Sequence, residues 1–259
     1  MGFPNVRAAQ TKEERDALDI RIRDAYVSVD VRGCKRELDD FGTAIEDSKV
    51  VLALNIGVLS ALVANDKLQY ISFYYQRDSG ARIPEDNEFD LGRESVDSLL
   101  FTHYHRKINF AALTIDNVGV EYYGDYHITL REETIRKRTS FFEENSLIFC
   151  LKHKVIAGTK FPNGYKATWE TRSKLAQAKL SSKIEPGTTP SDYPGILIKQ
   201  GQTGKDDEFI EAHIYGQLNR RTIEQVTTRS KSRRSADRVI LKRVRKNLAE
   251  IGVIFSEIS

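Results

Sequence analysis

From residue 68 onward the chain is cut into short segments rich in aromatic and β-branched residues, each closed by turn formers, and this texture limits the fold more than any other feature. Residues 68–76 (LQYISFYYQ) set the pattern, which recurs at residues 99–103, 108–115, 118–122, 126–130 and 147–153. Asp116-Asn117 and Gly124-Asp125 mark turns between them, and residues 77–93 form a polar connection. Parallel strands need a crossover of a dozen or more residues, which the short turns between 108–115, 118–122 and 126–130 do not provide, so a mainly antiparallel sheet is expected. Two further strands, residues 196–199 and 208–215, flank the polar connection GQTGKDD.

Helical signals bracket this region. Thr11 and Glu14 form a Thr-x-x-Glu start signal, helical spacing continues to about Val31, and residues 35–47 repeat it. The apolar run 50–64 (VVLALNIGVLSALVA) reads as a core helix, so residues 1–66 form a helical N-terminal region and residues 67–259 an α+β domain. Within that domain, residues 167–183 read as a central helix with Trp169 packed at its start, ending before Pro186-Gly187. Residues 235–251 read as a closing helix, because Val239, Leu241, Val244, Leu248 and Ile251 recur at near-helical spacing. The fold class expected is α+β, with a mixed or mainly antiparallel sheet, a central helix and a basic C-terminal helix.

The run at 50–64 is the most apolar in the chain, yet it carries Asn55 and falls short of the roughly 20 residues needed to span a bilayer. The N-terminus lacks the apolar stretch of a signal peptide, and Val6 replaces the Ser or Thr that myristoylation of Gly2 requires. Cys34 and Cys150 are too few and too far apart for a disulfide scaffold or a four-cysteine zinc module. A cytoplasmic protein without membrane contact is expected.

Charge is unevenly placed. Between Arg220 and Lys246 eleven basic residues face only Glu224 and Asp237, a local net of +9, so with +3 for the whole chain the remainder carries −6. Arg229, Lys231, Arg233, Arg234, Arg243 and Arg245 are candidates for contact with nucleic acid or an acidic partner. The alternative is a solvated helix face whose cations pair with the acidic body. No aromatic residue interleaves the run, so base stacking is not indicated.

Several short patterns carry chemistry. Gly201-Gln-Thr-Gly204-Lys205-Asp206 partly matches a phosphate loop, but Asp206 stands where Ser or Thr would hold magnesium and Lys199 where the first glycine belongs. His103 and His105 would share a strand face and approach Cys150 or His153, whereas Cys150 and His153 would lie on opposite faces of a strand, so no metal is assigned. His127-Ile-Thr129-Leu130 matches one element of the two-histidine phosphoesterases; the second would be His213-Ile-Tyr215, with tyrosine in place of the hydroxyl-bearing Ser or Thr.

The segments Arg138-Thr139-Ser140-Phe141-Phe142-Glu143-Glu144-Asn145-Ser146 and Glu208-Phe-Ile-Glu211-Ala-His213-Ile-Tyr-Gly216, taken together, resemble ADP-ribosyltransferase toxin domains over about residues 98–218. The resemblance implies an enzyme that cleaves NAD and transfers ADP-ribose to a macromolecular target. Glu211 would act at the ribosyl centre with His213 on its strand face, while His103 or Arg106, with Thr139 and Ser140, would hold the cofactor. Glu208 precedes Glu211 by three residues where that family has a carboxylate or amide two before the catalytic Glu. In the plainer alternative Glu143, Glu144 and Glu208 are solvated turn residues and Glu211 is exposed on an edge strand. Two functional readings therefore stand: an NAD-using ADP-ribosyltransferase, and a non-catalytic nucleic-acid-binding or assembly protein, with the two-histidine phosphoesterase as a third.

Overall fold

The computed structural model describes residues 2–70, 74, 88–202, 206–230 and 234–258. It is an α+β protein built on an eight-stranded sheet of order β10-β9-β4-β1-β3-β7-β5-β6. Its strands are β1 (Lys49–Leu54), β3 (Ile108–Thr114), β4 (Tyr126–Leu130), β5 (Thr139–Phe142), β6 (Lys166–Thr168), β7 (Glu211–Tyr215), β9 (Ile223–Arg229) and β10 (Ile254–Ile258). Every pairing is antiparallel except β10 with β9. Two short strands, β2 (Gln69–Tyr70) and β8 (Leu218–Asn219), form a separate antiparallel pair.

The N-terminal residues form α1 (Pro4–Ala9), α2 (Lys12–Arg32) and α3 (Lys35–Glu46). The Thr11 hydroxyl accepts from the Glu14 amide, as the start signal implies. The Glu14 carboxylate does not close the box. It is buried, accepting from the Gly164 amide at 2.6 Å and pairing with Lys166 at 3.2 Å, so it ties α2 to the entry of β6. At Gly164, whose φ is +90°, a Cβ would lie 2.9 Å from the Ala17 carbonyl carbon, which explains the glycine at this close approach.

The apolar run 50–64 is not one helix. Asn55 divides it into β1, in the middle of the sheet, and α4 (Ile56–Val63), capping the helix through its side-chain oxygen at 2.9 Å from the Val58 amide. A buried strand and a buried helix are both continuously apolar, so periodicity does not distinguish them. Other strand expectations also change. Residues 99–103 close α5 (Glu88–Leu100) and enter a turn, residues 118–122 contain no strand, and residues 147–153 lie in α7 (Ser146–His153), which follows the short α6 (Glu132–Ile135). Residues 196–199 end α9 (Tyr193–Leu197), leaving only a bridge between Lys199 and Glu208. Of residues 68–76, those beyond Tyr70 lie outside the described residues except Tyr74, which is helical.

The expected central helix is α8 (Arg172–Leu180) with a 3-10 turn at either end, and Trp169 is buried at its start, against Phe141. The closing helix is α10 (Ser235–Glu250), whose Leu241, Val244 and Leu248 join the main core. A second apolar cluster, including Phe101, Ile108, Phe142 and Phe149, joins α5 and α7 to β3 and β5. No described helix is long and apolar enough to cross a membrane.

Candidate active site

Two neighbouring strands part company at the centre of the sheet. β1 pairs with β3 only at Lys49↔Thr114, Val50↔Leu113 and Val51↔Ala112; beyond these, Leu52 to Leu54 pair with β4 and Ile108 to Ala111 with β7. The opening wedge holds a cavity of about 120 Å³, lined by residues 51–55 of β1 and its exit and by residues 109–112 of β3. Tyr70, Tyr123 and Phe209 add aromatic walls, and Glu211 supplies a carboxylate.

Glu211 opens β7, which lies between β3 and β5, and is only 2% exposed. It is therefore neither on an edge strand nor in solvent. Its Oε2 is 2.9 Å from His213 Nε2 and accepts from the Ser146 amide at 3.2 Å. Ser146 is the first residue of α7, so the carboxylate stands at a helix N-terminus, where unpaired amides and the helix dipole favour negative charge. The cap is Asn145, whose side chain accepts from the Leu147 and Ile148 amides. The His213 ring is enclosed by Phe101, Phe110 and Phe142, with ring centroids 4.7, 5.4 and 5.9 Å away.

A second buried carboxylate adjoins the first. Asp97, on α5, is fully buried and accepts from the Tyr74 hydroxyl at 2.5 Å and the Ser146 hydroxyl at 3.4 Å. Ser146 thus serves Asp97 with its side chain and Glu211 with its amide. Burial, together with the Asp97 charge, pushes the Cys150 thiol up to about 11, which makes it a poor nucleophile near neutrality. Lys179 joins the two approaches to the site, donating to the Glu143 carbonyl at 2.5 Å and the Phe209 carbonyl at 2.8 Å. Burial lowers its ammonium pKa to about 8 against the raising effect of Glu144, Glu143 and Glu208.

The residues expected at the site are partly gathered. Ser140 on β5 lies opposite His213, so both share the face that carries Glu211, and its hydroxyl accepts from the Asn5 amide group at 3.2 Å. Thr139 faces the other way, opposite Ile214, and donates to the Ile135 carbonyl. Arg106 hydrogen-bonds Glu94 and stands 5.7 Å from the Tyr74 ring centroid, which links it to Asp97 through Tyr74. His103 is exposed in a turn with φ 68°. Glu143 is buried against Arg21, Glu144 pairs with Lys152, and Glu208 with Lys183 and Lys199. Asp97, Tyr74, Ser146 and Lys179 were missed by sequence reasoning. Asn145-Ser146 ahead of an apolar run was the available signal, a helix cap in place of the expected strand.

The other patterns do not assemble. His127 and His213 stand on β4 and β7 with β1 and β3 between them, about 14 Å apart at roughly 4.8 Å per strand, too far to act on one phosphate. His127 is buried, its Nδ1 accepts from the Gly119 amide at 3.1 Å, and burial lowers its pKa. The Gly201 amide donates to Asp207 at 2.7 Å, which removes it from phosphate binding; Thr203 to Lys205 lie outside the described residues. Among the described residues no group of three His, Cys, Asp or Glu is placed to hold a metal ion.

The basic segment divides in two. Arg229 pairs with Glu121 at 2.6 Å, Arg245 with Glu257 at 2.7 Å, Arg220 and Arg221 with Asp66, and Arg243 donates to the Ser60 hydroxyl. The two guanidinium groups hold the Asp66 carboxyl down at about 2. Arg234 is exposed, and Lys231 and Arg233 lie outside the described residues.

No family model matches the chain, and no curated protein matches it. Among solved structures it is similar to Thermus sp. 2.9 DarT in complex with NAD+, at a TM-score of 0.37 and 8% identity over 81% of this chain and 95% of that one. The carba-NAD+ complex of the same protein gives a TM-score of 0.35 and 9% identity, over 81% of this chain and 94% of that one.

Proposed function

We propose that this protein is an NAD-cleaving ADP-ribosyltransferase in which Glu211 acts at the ribosyl centre. The observation that carries the reading is the placement of Glu211: a buried carboxylate, oriented by His213 and the Ser146 amide, on the wall of an aromatic-lined cavity. In the reaction the bond between nicotinamide and ribose breaks, nicotinamide leaves with the electron pair, and a cation develops at the ribose carbon. An acceptor nucleophile on the target then forms the new bond and gives up a proton. A fixed anion in a site of low dielectric favours that cation more strongly than water does, because its surroundings need no reorganisation.

The residues present fit the cationic end of the dinucleotide. About 120 Å³ holds a ring rather than a whole dinucleotide, so the wedge is assigned the nicotinamide-ribose end. His213 orients Glu211 and Ser140 borders His213 on the same sheet face; Arg106, which pairs with Glu94 outside the residues lining the cavity, is the cation we assign to the pyrophosphate.

Incubation with labelled NAD and cell lysate tests the reading. Transfer or hydrolysis is expected, and Glu211→Gln, close in shape but neutral, should reduce it about 100- to 1000-fold. Activity unchanged in that variant would remove Glu211 from the chemistry.

A further inference from the structure

The cations of the C-terminal helix differ in what they meet. Arg243 and Arg245 are engaged with Ser60 and Glu257, and Arg245 also lies 4.6 Å from the Phe255 ring centroid. Arg234, Arg238, Lys242 and Lys246 recur at every fourth residue, are all exposed, and have no carboxylate partner among the described residues. The Arg238 guanidinium donates to the Ser235 hydroxyl at 3.0 Å.

We propose that this outer face of α10 is a docking surface for the phosphate backbone of a nucleic-acid duplex. At about 1.5 Å per residue, Arg238, Lys242 and Lys246 extend over about 12 Å along α10, and Arg234 at its N-cap brings the reach to about 18 Å. A duplex presents one charge per roughly 1.7 Å, so about ten phosphates lie within that length, a regular linear array matching a regular linear array. The helix is held in place by Leu241, Val244 and Leu248, which are locked in the core. A single strand is disfavoured because residues 229–250 contain no aromatic side chain on which a base can stack. A bilayer is disfavoured because insertion needs an apolar helix face, and that face is already buried; Val239 is the large apolar side chain left on the outside.

The test uses the full chain and reads binding alone, so its outcome is independent of NAD chemistry. A fluorescent DNA duplex of about 20 base pairs and arbitrary sequence is titrated with protein at several salt concentrations, beside vesicles of phosphatidylcholine with about 30% phosphatidylserine. Four phosphate contacts predict a log-log salt slope of about −3.6, or roughly 100-fold weaker binding at 200 mM than at 50 mM salt. Combined Arg234→Gln, Arg238→Gln, Lys242→Gln and Lys246→Gln should abolish duplex binding, whereas Arg243→Gln with Arg245→Gln should leave it within about twofold, since exposed charges away from the contact matter little. Absence of duplex binding, an equal loss in the two variants, or retention on vesicles but not on duplex each overturns the proposal.

Discussion

Glu211, on β7, and Asp97, on α5, are buried carboxylates that meet at Ser146 of α7, each held by neighbouring donors; Arg234, Arg238, Lys242 and Lys246 are exposed cations at the start and along the outside of α10, with no ion pair to a carboxylate among the described residues. The difference lies in solvent. A buried charge without its partner forfeits its hydration, so each member of the enclosed group depends on the others and a single deletion is felt throughout. A surface charge keeps its water, is screened within about 8 Å at physiological salt, and acts only in concert with its neighbours. The first arrangement suits orientation of one reacting group and the second suits contact with an extended polyanion.

Asp97→Ala probes this contrast with the largest expected effect. It leaves the Tyr74 and Ser146 hydroxyls without their acceptor, and urea unfolding should show a loss of about 2–4 kcal/mol that is insensitive to salt. A loss below about 0.5 kcal/mol, the size of an ordinary surface change, would mean that the enclosed carboxylate is not coupled to its surroundings. Lys179 comes next. The folded chain holds its amine at about 8 and the unfolded chain near 10.5, so between those pH values the unfolded state binds more protons and stability rises with pH. The contribution is at most about 1.4 kcal/mol per pH unit, and Lys179→Met should remove that slope from the wild-type profile; parallel profiles for the two proteins would count against a buried amine. Arg245→Gln should have the smallest effect. Its pair with Glu257 is exposed, so a loss of about 0.5 kcal/mol or less is expected, fading at high salt; a larger, salt-independent loss would place that pair with the buried groups.

Much of the fold is legible where local chemistry and tertiary context agree. The strand expected at 126–130 is β4 residue for residue, that at 108–115 is β3 to within one residue, and the basic closing helix is α10, with Leu241, Val244 and Leu248 of its expected stripe in the core and Val239 exposed. The mainly antiparallel sheet follows from the spacing of turns. Legibility fails where a segment is a short apolar run: residues 50–64 and 147–153 carry no period that separates strand from helix, and the polar cues that decide them, Asn55 within the first and Asn145 just ahead of the second, act as helix caps. At the site, Glu211 and His213 are visible as a pair on one strand face, while Asp97 joins them from more than a hundred residues away in sequence through Ser146.

Local sequence is enough to specify helix starts, turn positions, the α+β class and the +9 concentration of charge near the C-terminus, because each depends on residues within a few positions of one another. Strand order, the wedge between β1 and β3, and the burial of Glu211 arise from contacts between distant segments. The same holds for the division of the basic run into paired and unpaired cations: Glu257, Ser60 and Glu121 reach Arg245, Arg243 and Arg229 only once the sheet has brought them together. Charge is a property of composition, but whether it is enclosed, paired or free to meet a partner is a property of packing.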